Sequence, residues 1–127
     1  MSTPLPPPGA RRDSLIAERI MGWSMVPDDG RKNPPPPGTY QDAQGAYQDT
    51  VWSKGDEYHS NDAIRLLAWW VRESPAHRSA TIHYHPYRLQ WVVEATAGSG
   101  RGFFRHAAPS LSDAITAAIL AASGVVG

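Results

Sequence analysis

Two histidines one residue apart, His83 and His85, stand in "ATIHYHPYRLQWVVEA", residues 80–95. In an extended chain that spacing puts both imidazoles on one side, as in a strand-borne zinc pair. Read as a hairpin, the stretch carries Ala80, Ile82, Tyr84, Leu89, Trp91, Val93 and Ala95 on one face. The other face carries Thr81, His83, His85, Arg88, Gln90 and Glu94. Such a face is a wet outer surface, a metal site or the floor of a polar pocket. A metal would need a third ligand from His59, His77 or Glu94, and the sequence places none of them. A solvent-facing or hydrogen-bonded histidine pair is the commoner arrangement.

Other chemistry is thinner. "GSGRG", residues 98–102, could cradle an anion with its backbone amides, with Arg101 supplying charge. It lacks the following helix of a phosphate-binding loop, and a hairpin turn accounts for it. There is no G-x-S-x-G motif, and no pair of carboxylates is singled out for acid–base work. An enzyme is therefore disfavoured and no cofactor is expected. Aromatic rings can stack a base and arginine can hold a phosphate through two hydrogen bonds. Tyr40, Tyr47 and Trp52 lie in a segment expected to be mobile, and could close over a pocket. Arg88, Arg101 and Arg105 lie on or beside the polar face. The expected ligand-binding set is His83, His85, Arg88, Gln90, Arg101, Arg105 and Trp52, for a small nucleotide-type ligand.

The 127 residues suit one domain. A proline-rich tail over 1–12 is expected to be disordered, followed by a single domain over 13–123 and a short tail over 124–127. A proline-rich insertion at about 26–57 interrupts the domain, with four consecutive prolines at Pro34–Pro37. The packed remainder is small, and a core of this size is marginal without a cofactor, a staple or a partner. Twelve basic and twelve acidic residues cancel, so the basic surplus of a nucleic-acid binder is missing. Ten of the basic residues are Arg, suited to phosphate or carboxylate recognition, although a GC-rich genome also accounts for them. There is no cysteine, so neither disulfides nor thiolate zinc sites arise. No run suits a membrane span, and the N-terminus lacks a signal-peptide layout. The expected location is the cytoplasm of the cell that makes the protein.

Periodicity supplies the elements. "DSLIAERIMGW" predicts a first helix, capped by Asp13 or Ser14, with Ile16 and Ile20 inward and Gly22 as its stop. The Tyr-Gln-Asp repeat at 40–42 and 47–49 reads as a helix face, a ligand loop or chance. "SNDAIRLLAWWVRESP" predicts a second helix with Ile64, Leu67, Ala68 and Val71 inward, Trp70 beside that stripe and Trp69 further round, half-buried or at a second interface. The hairpin follows, then "FFRHAA" as a third strand, with Phe104 and His106 on the apolar face and Phe103 and Arg105 on the polar one. His106 reads as a core histidine. The last helix, "SLSDAITAAILAAS", has Ser110 and Asp113 at capping-box spacing and a stripe of Leu111, Ala114, Ile115, Ala118 and Ala122. The expected fold class is α+β: an antiparallel three-stranded sheet with packed helices, in the order α-loop-α-β-β-β-α.

The order α-β-β-β-α over 61–123 resembles the double-stranded RNA-binding domain. That family grips phosphates with lysines at the start of its last helix, where this chain has "PSLSDAIT", so double-stranded nucleic acid is not expected. A second resemblance rests on "LIAERIMGW", "YHSNDAIRLLAWWVRE", a Trp-containing strand and "APSLSDAITAAILAA". Leu15, Ala17, Glu18, Met21, Gly22 and Trp23 follow L-x-A-E-x-x-M-G-W; Tyr58, Ser60, Asp62, Ala68 and Trp69 follow Y-S-x-D-x-x-A-A-W, with His59 and Asn61 interposed. With these motifs the chain resembles the phage ABA sandwich family, short bacteriophage proteins with an Ala-rich final helix. The resemblance implies a layered α/β/α arrangement covering both sheet faces, and action in the cytoplasm of an infected bacterial host. It implies an accessory or anti-defence role, such as a sponge for cyclic dinucleotides or cyclic ADP-ribose isomers. The alternatives are a protein-binding inhibitor of a host defence effector and a metal-dependent enzyme built on His83 and His85. A homo-oligomer is expected from the small core, Trp69 and the Ala-rich last helix.

Overall fold

The computed structural model describes residues 4–26, 30, 39–48, 52–53, 60–73, 78–97 and 103–126. Elements are numbered in chain order. Strands β4 (Arg78–His85), β5 (Gln90–Ala97) and β6 (Phe103–Ala108) form an antiparallel sheet in that order. The register pairs His85 with Gln90, Tyr84 with Trp91, His83 with Val92 and Thr81 with Glu94. It also pairs Val92 with Ala107 and Glu94 with Arg105. Directly opposed residues share a face, so the alternation read from the sequence is realised. Val93, Ala95 and Ala108 lie in the core, with Ala80, Trp91 and Phe104 packed against it. Leu89 departs from its expected place on that face. It closes the four-residue turn after His85 with φ 52° and is 68% exposed.

Helix α3 (Leu111–Ala122) starts where Ser110 Oγ accepts the Asp113 amide at 3.4 Å. Residues Ser112 to Leu120 are all buried except Asp113, well beyond the expected stripe. The reason is position: α3 packs on β5 and β6 and also on α2 and the first helix. Its alanines let both layers approach and serve this chain's own core. At its end the Val125 amide donates to the Leu120 carbonyl at 3.0 Å beside Gly124 at φ 77°. Val126 thereby turns into the core with Val125 packed against it, so these two residues, expected in a tail, are part of the fold.

Helix α2 (Ser60–Arg72) buries Ala63, Leu66, Leu67 and Trp70. That stripe is rotated from the expected one, leaving Ile64 41% exposed and Ala68 exposed. Trp70 decides the rotation: it is the largest fully buried side chain, and its indole N–H donates to Ser123 Oγ at 3.0 Å. Arg78 then covers it, its guanidinium 4.7 Å from the ring centre and donating to the Trp70 carbonyl at 3.0 Å.

Helix α1 (Ala10–Leu15) begins three residues earlier than expected and continues as a π-helical turn over Ile16–Ile20. Asp13 is therefore not its cap. It lies fully buried inside the helix, accepting the Ser53 amide at 2.8 Å. Arg12 is 3% exposed and donates to the Pro6 carbonyl at 2.9 Å, to Thr116 Oγ1 at 3.2 Å and to the Asp113 carboxylate. Residues 4–12, expected as disordered tail, are thus anchored through one buried cation that needs partners.

A second sheet joins the chain just before the expected insertion to residues within it: β1 (Ser24–Met25), β2 (Tyr40–Gln41) and β3 (Tyr47–Gln48). The Tyr-Gln-Asp repeat pairs with itself as a hairpin, Tyr40 opposite Gln48 and Gln41 opposite Tyr47. The Asp42 carboxylate closes the turn, accepting the amides of Gln44 and Ala46 at 2.9 Å each and the Gln48 side chain at 3.0 Å. The Gln48 bond first, then the amides of Ala46 and Gln44, hold its pKa below the usual carboxylate value. Pro34–Pro37 lie outside the described residues. The fold is α+β with two antiparallel three-stranded sheets and helices on one face of the larger. Among the described residues no helix is long and apolar enough to cross a membrane.

Candidate functional site

The polar face of the larger sheet points away from the helices. Ser79, Thr81, His83, Arg105 and Ala107 on it are all exposed, so the second covering layer is missing among the described residues. Near the β4–β5 turn this face sinks into a cleft of about 390 Å³, lined by His85, Arg88, Gln90, Val92, Arg105 and Ala107. The volume falls in the range of small-molecule sites, about 300–1,000 Å³.

The register explains how these residues meet. Val92 and Ala107 are opposed on adjacent strands and form the apolar floor. Val92 is only 2% exposed although no element among the described residues covers it. It lies on the central strand, flanked by longer side chains of both edge strands. His85 and Gln90, opposed across β4 and β5, make one wall. Arg105 supplies another, and Arg88 projects from the turn whose amide bonds back to the His85 carbonyl at 3.3 Å.

The two arginines differ in state. Arg105 Nε is 3.8 Å from Glu94 Oε1, and Glu94 Oε2 accepts from Thr81 Oγ1 at 3.4 Å. Arg88 makes no ion pair or hydrogen bond through its guanidinium among the described residues. The lining therefore contains two guanidiniums and no carboxylate, and favours an anion. His85, Gln90 and the arginines can direct donors at it, while the floor offers an apolar surface.

Of the expected ligand residues, the structure gathers His85, Arg88, Gln90 and Arg105 in this cleft. His83 stands just outside, its ring 5.6 Å from that of His85 and edge-on to it. Trp52 is elsewhere. It is 8% exposed and packs against Trp23 at 5.3 Å between ring centres, so it is a core residue and not a lid. Tyr40, expected to be mobile with it, is fully buried, its hydroxyl 3.4 Å from Glu18 Oε1. Arg101, His59 and His77 lie outside the described residues. No third His, Cys, Asp or Glu joins His83 and His85 among the described residues.

Three contributors escaped the sequence reading: Val92 and Ala107 as floor and Glu94 as the counter-ion of Arg105. Val92 was accessible to it, since strict alternation from Gln90 to Glu94 puts residue 92 on the polar face. His106, on the opposite face, is half-buried with Nε2 3.9 Å from Asp113 Oδ1. Desolvation depresses its pKa below 6.5, reinforced by Arg12 and opposed by Asp113. It takes no part in the cleft.

Comparison with known proteins gives one structural parallel. The chain superposes on a phage protein from Bacillus cereus ATCC 14579, known from a 2.0 Å crystal structure, with a TM-score of 0.59. The match covers 96% of this chain and 91% of that one at 14% identity, which establishes a shared fold. No family model and no curated protein matches the sequence.

Proposed function

We propose that this chain is a non-enzymatic phage accessory protein. In this reading it binds a small nucleotide-type anion on the open face of its larger sheet, withholding an immune signal in the cytoplasm of the bacterial host. The observation that carries the reading is the cleft in which Arg88 and Arg105 face one space above the Val92–Ala107 floor with no acid in its lining. Guanidiniums suit phosphate oxygens, and the floor with the His85 ring suits a base or ribose face. The phage context rests on the resemblance of residues 15–23 to phage ABA sandwich proteins, and on the fold shared with the Bacillus cereus phage protein.

The test is thermal unfolding against cyclic dinucleotides, cyclic trinucleotides and ADP-ribose isomers, with the ligand recovered afterwards. Ligand at a hundredfold its Kd stabilises by about 2.7 kcal/mol, which is about 8–15 °C in a chain of this size. A shift with intact ligand, lost in Arg88→Ala, supports sequestration. Turnover of the ligand, or no shift across the panel, refutes it. A protein partner is the second reading, favoured by Tyr87 and Leu89, which are 98% and 68% exposed at the tip beside the cleft. In that case Tyr87→Ala abolishes activity and Arg88→Ala does not.

A further inference from the structure

We propose that His83 and His85 are half of a metal site completed by a second copy of this chain, so that a divalent ion such as zinc joins two protomers across β4. This inference shares His85 with the anion-binding reading, whereas His83 belongs to the metal site alone and Arg88 to the cleft alone.

Its first support is ligand count. His83 and His85 share the polar face with ring centres 5.6 Å apart, and no third ligand joins them among the described residues. A structural zinc site takes four ligands arranged tetrahedrally. A two-fold axis doubles two imidazoles to four.

The second support is where the pair sits. Strand β4 is eight residues long and lies at the sheet edge, paired with β5 alone in the described sheet. Natural edges are blunted by charge, proline or a bulge. Residues 79–85, "SATIHYH", carry no Asp, Glu, Lys, Arg or Pro. Among the described residues no strand occupies this edge, which leaves it open to another strand.

The third support is self-complementarity. Antiparallel pairing that sets Tyr84 against Tyr84 of the second copy also sets each His83 against the other copy's His85. Opposed residues have Cα atoms about 4.5–5.5 Å apart, so four imidazoles form a compact quadrangle on the polar face. On the other face Tyr84, 44% exposed, meets its own copy, and Ile82, 37% exposed, meets Pro86. The same register therefore covers two exposed apolar residues and completes the metal's coordination. Only residues 83–85 of each strand overlap directly, so the ladder is short and the metal is required to hold it. Self-association here also fits what the fold took away: the α3 alanines are buried within the chain and Trp69 packs against its core.

The experiment is size-exclusion chromatography with light scattering on the full chain, first in chelator and then with zinc. The expected result is a 13.9 kDa species in chelator and twice that mass in zinc, with one zinc per two chains by elemental analysis. His83→Ala and His85→Ala, both surface changes, are expected to stay monomeric at zinc levels that saturate the parent. Cobalt should give the intense visible absorption of a tetrahedral site in the parent alone. A dimer that persists in chelator, a zinc-loaded monomer, or unchanged dimerisation of His83→Ala each overturns the proposal. Arg88→Ala is expected to dimerise normally with zinc, so loss of nucleotide binding and loss of the metal bridge are read separately.

Discussion

Replacing Arg12 by methionine tests the least expected anchor of the fold. The guanidinium is 3% exposed and donates to Pro6 O, Asp113 O, Asp113 Oδ1 and Thr116 Oγ1. Methionine keeps the packing of the aliphatic stem and removes every donor. Deleting one partner of a buried ion pair costs about 3–5 kcal/mol. Asp113 is 20% exposed and lies in the first turn of α3, where water and the helix dipole compensate in part. Thr116 Oγ1 still donates to the Ser112 carbonyl at 2.8 Å. The lower end applies, about 3 kcal/mol, or about 10–15 °C in Tm. Urea unfolding followed by tryptophan fluorescence reads it, with Asp113→Asn and the double variant closing a cycle that isolates the pair. The double variant should be more stable than the sum of the single losses predicts. A loss below about 0.5 kcal/mol, the range of ordinary surface changes, would refute the reasoning and return residues 4–9 to the status of a free tail.

Further outcomes follow from the geometry. Arg88→Ala should weaken nucleotide binding about 10- to 100-fold, the cost of a charge-assisted hydrogen bond. Arg105→Ala should cost less because Glu94 already competes for that guanidinium, and Glu94→Gln should tighten binding; titration calorimetry of all three checks the order, and a loss of affinity in Glu94→Gln contradicts it. Trp52→Ala should destabilise the fold by about 3–5 kcal/mol and leave affinity at low temperature unchanged, measured on the folded fraction. For His106, the depressed native pKa means the unfolded chain binds more protons just below pH 6.5. Stability contributed by its neutral form is present above that pH and lost as pH falls toward the native value. His106→Gln should flatten urea midpoints between pH 7 and 5, and an unchanged slope would remove His106 as the cause.

Much of the fold is legible in the sequence because it is written in local periodicity. The two-residue repeat of 79–97 and 103–108 assigns every strand residue to its face, including the polar set that lines the cleft. Ser110 and Asp113 mark the start of α3, and no longer-range information is needed for that. Four of the proposed ligand residues meet because alternation fixes their face and the two strand pairings, β4 with β5 and β5 with β6, fix their register. Where the sequence reading misses, the deciding contacts are distant in the chain. Whether α2 turns Ile64 or Trp70 inward depends on Ser123, 53 positions away from Trp70, and on the larger apolar area that Trp70 buries. Residues 4–12 are placed by Asp113, 101 positions from Arg12, a partner that proline content cannot reveal. Trp52 and Tyr40 look like mobile aromatics in a proline-rich stretch, and only the packing against Trp23 and the first helix makes them core. Composition and spacing thus determine each element and the sides it presents. Which side is buried is a comparison of areas and buried hydrogen bonds, and those exist only once the elements are assembled.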